Sequence, residues 1–145
     1  MNTYIDIRRM NQVDACALTW QLLQERPPEA NISHDGKTTA GGHAFFVEHH
    51  PYRIWYAIMN REGQMVGTVL LTQQNEVGVA ILAEHRRKGY AREAVKWLIE
   101  SHAPAPSAPG KRAGRFLANI SPNNPASIAL FKGLGFGIVQ HTYAK

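Results

Sequence analysis

The sequence of 145 residues predicts an α/β fold, a mixed sheet with helices packed on its faces. Three observations predict it. Apolar runs of period two alternate along the chain with segments of helical period. One β-branched run, Val79 to Leu82, passes through the basic turn Arg86-Arg87-Lys88 into a helical pattern. A late helical segment opens on Asn124, a capping residue, and stops at Gly135.

In order, Tyr4 to Arg8 alternates and reads as a first strand. Asp14 can cap a helix to Glu25 whose apolar face holds Ala15, Leu18, Trp20 and Leu22, and Pro27-Pro28 ends it. Residues 29 to 42 read as a polar loop that shapes a surface site, followed by a short helix from Ala44 to His49. Arg53 to Asn60 and Gln64 to Thr72 are strands joined by Arg61-Glu62-Gly63, a hairpin signal. Asn75 to Leu82 is a further strand, and Gly89 to His102 the helix after the basic turn. The prolines between Ala103 and Gly110 enforce a stiff loop. Arg115 to Ile120 is a strand, Asn124 to Leu134 a helix, and Ile138 to Tyr143 a last strand.

The length suits one domain, residues 1–145, with a core of its own. No apolar run is long enough to span a bilayer and no signal-peptide segment is visible, so a cytoplasmic protein without membrane contact is expected. Cys16 is the only cysteine, which excludes an internal disulfide and a Cys-x-x-Cys metal site. The seven histidines do not suggest a metal either: His49 and His50 are adjacent and point apart, and no His-x-x-x-His pair has a carboxylate nearby. A net charge of +5 suits an anionic partner. The basic residues form no continuous stripe, so nucleic acid is not the expected one.

A strand that turns abruptly into a helix leaves the first N–H groups of the helix unpaired. With the positive end of the macrodipole, they form an anion site. Arg86, Arg87 and Lys88 add side-chain charge there, although a solvated basic turn would have the same sequence.

Two segments resemble the GNAT superfamily of acyl-CoA-dependent N-acetyltransferases. The family's pyrophosphate loop, Gln/Arg-x-x-Gly-x-Gly/Ala, is matched by Arg86-Arg87-Lys88-Gly89-Tyr90-Ala91. Its late helix, close to Asn-x-x-Ser-Ile-x-Leu-Tyr-x-x-x-Gly-Phe, is matched by Asn124 to Phe136. The element order agrees over nearly the whole chain. The resemblance implies a central, mostly antiparallel twisted sheet, splayed where acetyl-CoA binds, with flanking helices. Backbone groups of Val79, Ala80 and Ile81 would hold the pantetheine arm, and the N–H groups from Arg87 to Arg92 (Lys88, Gly89, Tyr90 and Ala91 between them) the pyrophosphate. Gly89 would be glycine to admit the phosphate close to the backbone. Asn119 and Asn124 would touch the arm, and Asn124 also suits a plain N-cap.

Acetyl transfer to an amine needs a neutral amine, a polarised thioester carbonyl and a stabilised thiolate. A backbone N–H near Ile81 is the expected oxyanion donor. Glu76, on the strand leading to the loop, is the candidate base, the alternative being an exposed strand carboxylate. Relatives place a tyrosine as general acid where this chain has Phe131, which has no proton to give. Ser127 and Tyr143 are the available substitutes, or water serves.

The resemblance further implies that acceptor choice falls to residues 27–51 and 140–145. The aromatic, basic stretch from His43 to Tyr56 is similar to enzymes acting on nucleotide-linked amino sugars, and to those acetylating protein N-termini. The reading is therefore an acetyl-CoA-dependent N-acetyltransferase of a small-molecule amine, with an N-terminal acetyltransferase and a non-catalytic acyl-CoA sensor as alternatives. Relatives often form homodimers; the sequence leaves the oligomeric state open.

Overall fold

The computed structural model describes residues 1–28, 38–110 and 114–145. Its centre is an antiparallel four-stranded sheet in sequential order: β1 (Thr3–Asp6), β2 (Ile54–Met59), β3 (Met65–Leu71) and β4 (Val77–Ile81). Helices α1 (Gln12–Gln24) and α2 (Ala40–His49) cover one face, and α3 (Tyr90–Ser101) and α4 (Pro125–Gly133) the other.

Period-two patterning produces the two layers. Along β2, Ile54, Tyr56 and Ile58 pack toward α3 and α4, while Trp55 and Ala57 pack toward α1 and α2. A bulge opposite Ile58 and Met59 inserts Val66 and restores its side chain to the α3 layer, where it is fully buried. Val69, Leu71, Val95 and Leu98 complete that layer with essentially no exposure. Each such side chain contributes about 1.5–3 kcal/mol relative to leaving it in water. The hairpin β2–β3 closes on Asn60, whose Oδ1 accepts from Glu62 N–H and Gln64 N–H at 3.1 and 2.8 Å.

Several expectations are corrected. Asn11, not Asp14, caps α1, accepting from Val13 N–H at 2.8 Å, and Asp14 sits in the first turn. The first strand stops at Asp6, because Ile7 to Arg9 turn into a 3-10 helix. α2 starts at Ala40, four residues earlier than its apolar pattern, because Thr39 caps it through Gly42 N–H at 3.0 Å. Residues 29–37 of the expected loop lie outside the described residues.

Two expected strands do not form. Within 115–120 only Leu117 pairs, in a single parallel bridge to Glu76. Ile138 to Tyr143 joins no strand, and Ile138, Val139 and Tyr143 are exposed. Alternation records a side-chain preference, but a strand also needs an edge to bond. This tail pairs with no edge among the described residues.

Candidate active site

A continuous cavity of about 940 Å³ runs from the α1–α2 layer, past β4, to the start of α3 and the wall of α4. Three local features build its α3 side.

The first is the free edge of β4. Thr72 N–H donates to Glu76 C=O and Leu82 N–H to Val66 C=O, both at 2.9 Å. Antiparallel alternation then turns the N–H and C=O of Gly78 and Ala80 into β3, and those of Val77, Val79 and Ile81 outward. Val77 N–H meets Leu117 C=O at 2.7 Å, and there the pairing ends. Val79 therefore presents both backbone groups to the cavity, and Ile81 its N–H. The Ile81 carbonyl is taken by Arg86 Nε at 3.0 Å. Ala80 departs from the expectation: the residue lines the cavity, but its N–H and C=O turn into β3 and serve the sheet.

The second is the turn into α3. Gly89 stands at the N-cap with φ 84° and gives the helix no side-chain cap, so the leading N–H groups stay open. Gly89, Tyr90, Ala91 and Arg92 all line the cavity. A Cβ on Gly89 would meet no protein atom within 4 Å, so its positive φ, not crowding by the protein, calls for glycine here. Arg87 also has a left-handed backbone, φ 64°, and lines the cavity. Lys88 is exposed and does not reach it. Arg86 reaches it but is also a clamp: its Nη2 donates to Glu25 C=O at 3.1 Å, tying the end of α1 to the end of β4.

The third is the segment from Asn119 to Phe131. Asn124 Oδ1 accepts from Ser127 N–H at 3.2 Å, so the N-cap role is real, and Asn124 also lines the cavity. Asn119 and Ser127 line it too. Phe131 is buried against Phe136, with ring centroids 5.1 Å apart, and forms part of the wall. Tyr143 is 90% exposed and outside the cavity, which removes one substitute for the missing tyrosine.

Glu76 is half-buried at the start of β4 and does not line the cavity. Thr72 Oγ1 donates to its Oε1 at 3.2 Å and Asn119 Nδ2 to its Oε2. The carboxylate orients Asn119, and this geometry gives no support to a base at Glu76.

The opposite half of the cavity was not legible residue by residue. Phe46, Tyr52 and Trp55 supply an aromatic wall, their rings meeting edge to face at 4.9–6.0 Å. Burial pushes the Tyr52 phenol up, while the Arg26 charge works the other way, so it remains a neutral donor. Thr19 and His43 stand behind, joined at 2.7 Å. One signal was available: Gly78 and Ala80 alternate with valines along β4, and small residues on one face of a strand mark a close approach.

Among the described residues no cluster could hold a metal ion, and no helix is long and apolar enough to cross a membrane. The sequence pattern of the acetyltransferase (GNAT) family matches residues 17–136. No curated protein matches the sequence. Among solved structures, a spermidine/spermine N-acetyltransferase from Vibrio cholerae is similar at TM-score 0.68 and 15% identity, over 97% of this chain and 81% of that one. A protein of Salmonella typhimurium, described as an acetyltransferase and solved with its cofactor acetyl-CoA, is similar at 0.61 and 18%, over 94% and 78%. A ribosomal-protein-alanine N-acetyltransferase from Brucella melitensis is similar at 0.62 and 19%, over 93% and 83%. At these identities the likeness is one of fold.

Proposed function

The chain belongs to the acetyltransferase (GNAT) family and takes acetyl-CoA as acyl donor, and from that premise we propose that it acetylates the primary amine of a small molecule by direct attack in a ternary complex. The observation that carries this reading is the single cavity, which joins an anion-binding helix start and a free strand edge to an aromatic chamber across β4.

Acetyl-CoA supplies the activated acyl carbon. The N–H groups at the start of α3, with Arg87 and Arg92, hold the pyrophosphate. The outward groups of Val79 hold the pantetheine arm as an added strand would. Ile81 N–H is the oxyanion donor where a carbonyl lies against it. Phe131 closes the wall without donating a proton, so the thiolate is met by Ser127 or by water.

The acceptor chamber favours an amine carried on a ring, such as an amino sugar or a nucleotide-linked one. Phe46, Tyr52 and Trp55 offer faces and edges for stacking. Arg26, Arg86, Arg87 and Arg92 line the cavity, and its described wall carries no carboxylate. A polycation would find no carboxylate on that described wall to pair with its ammonium groups.

Thiol release from acetyl-CoA tests the reading, with glucosamine, a nucleotide-linked amino sugar, spermidine and an alanine-initiated peptide as acceptors. Turnover with a sugar amine above the other two supports it. Preference for the peptide would move the enzyme to protein N-termini. Acetyl-CoA binding without release for any amine would make it a sensor.

A further inference from the structure

We propose that His43 is the catalytic base of the acceptor chamber: its Nδ1 takes the proton of the acceptor ammonium, and Thr19 holds the ring in the tautomer that permits this. The inference rests on the acetyl-transfer reading and adds a residue to it.

The hydrogen bonds of Thr19 point to one tautomer. Thr19 Oγ1 lies 2.8 Å from the Ala15 carbonyl and 3.3 Å from that of Cys16. Carbonyls only accept, and back-bonding to the Ala15 carbonyl, the habit of a helical threonine, directs the hydroxyl proton into α1. At 2.7 Å from His43 Nε2 the same oxygen then accepts, and in this arrangement, which the proposal adopts, Nε2 carries the hydrogen. A neutral imidazole has one N–H, which leaves the lone pair on Nδ1. That nitrogen bonds none of the described residues, and His43 lines the cavity. Trp20 packs beside it with centroids 5.4 Å apart, and only 8% of the residue is exposed, so the ring has little room to turn.

The environment keeps the ring neutral. Burial pushes the His43 imidazolium below its ordinary value. α1 faces it with Thr19 and Trp20, which carry no charge. The charged and titratable groups elsewhere on the cavity wall are the phenols Tyr52 and Tyr90, the four arginines and His85. No carboxylate on the described wall competes for the role.

The step balances simply. An ammonium N–H bond breaks and its proton moves to Nδ1, giving an imidazolium. The freed lone pair attacks the thioester carbon, the C–S bond breaks with its electrons on sulfur, and the second amine proton ends on the thiol. The imidazolium returns its proton to water.

The experiment is a pH profile of kcat/KM for wild type, His43→Gln, Thr19→Val, Thr19→Ser and Glu76→Gln, using whichever of the four amines above releases thiol fastest. Wild type should rise through a pKa below 6.5 and then level off. His43→Gln should lose about 100-fold at pH 7. It should then recover as pH approaches the amine's own pKa, where solvent does the deprotonation; a purely structural loss would not recover. Thr19→Val should lose about 10-fold, and Thr19→Ser should restore most of it. Nitrogen NMR of the free protein gives an independent readout, with Nε2 protonated and Nδ1 bare at neutral pH. The opposite tautomer, an unchanged profile in His43→Gln, or loss of the limb in Glu76→Gln instead, would each overturn the inference. No thiol release by wild type with any of the amines would overturn the transfer reading, and the inference with it.

Discussion

Val77 N–H donates to Leu117 C=O at 2.7 Å, and beyond that bond β4 and the chain after Leu117 part company. The bond is the pivot of the splay. On one side of it Leu117 N–H returns to Asn75 C=O at 2.9 Å, and on the other Val79 is left with both backbone groups facing the cavity.

Gly67 keeps the other edge of β4 in place. A Cβ there would stand 2.1 Å from the Ala80 carbonyl oxygen, a distance no rotamer can relieve. Gly67→Ala should destabilise the protein by about 3 kcal/mol in urea unfolding, since the strand itself must move. Any folded fraction should show a weaker thermal shift with acetyl-CoA, because the outward groups of Val79 move with it.

Arg87 and Gly89 both adopt left-handed backbone, at φ 64° and 84°, but they should answer oppositely to substitution. Gly89→Ala should cost about 1–2 kcal/mol of stability. In Arg87→Gly the released strain is offset by a looser unfolded chain, so stability should stay within about 0.5 kcal/mol of wild type. Its acetyl-CoA affinity should nevertheless fall several-fold, with a weaker salt dependence in a titration series.

Arg86 should prove more structural than its neighbours. Replacing it with alanine removes bonds to the Ile81 and Glu25 carbonyls, at 3.0 and 3.1 Å. A loss of about 1–3 kcal/mol is expected. Arg86→Lys should recover little of it, since a point charge cannot span two divergent carbonyls as a guanidinium does. A full recovery of the melting temperature with lysine would show that charge alone matters.

Phe131→Tyr restores a phenol at the cavity wall. If thiolate protonation limits turnover, kcat should rise while KM for acetyl-CoA stays level. A fall in stability without a gain in kcat would mean that the hydroxyl is buried against Phe136.

Acid should weaken the fold in two stages. Burial lowers His43, and burial with the Arg53 charge lowers His102, both from 6.5, so each is held neutral in the folded state. The unfolded chain binds more protons as pH falls below that value, so stability present above about 6.5 declines beneath it. Asp6, lowered from 3.8 chiefly by its bond with the Arg8 side chain, adds stability above that value that is lost as pH falls through its folded pKa. Urea midpoints between pH 8 and pH 3 should trace both declines, with the first flattened in His102→Phe.

The expected cofactor half could be read from the sequence because it is made of contiguous chain. A β-branched run, a glycine suited to positive φ and a helix start are local properties, and Val79 to Arg92 carries them all within a few turns of backbone. Tertiary structure decided the rest. Ladder parity turned Ala80 away from the cavity and Val79 toward it, and depended on which residues of β3 it met. Leu117 found an edge for a single bridge, while the equally alternating tail after Gly137 found none. Thr19 and His43 are 24 residues apart on two helices, and their bond at 2.7 Å exists only because α1 and α2 pack on the same face of the sheet. Backbone preference is encoded within a segment, whereas the partner of a side chain is set by how segments pack.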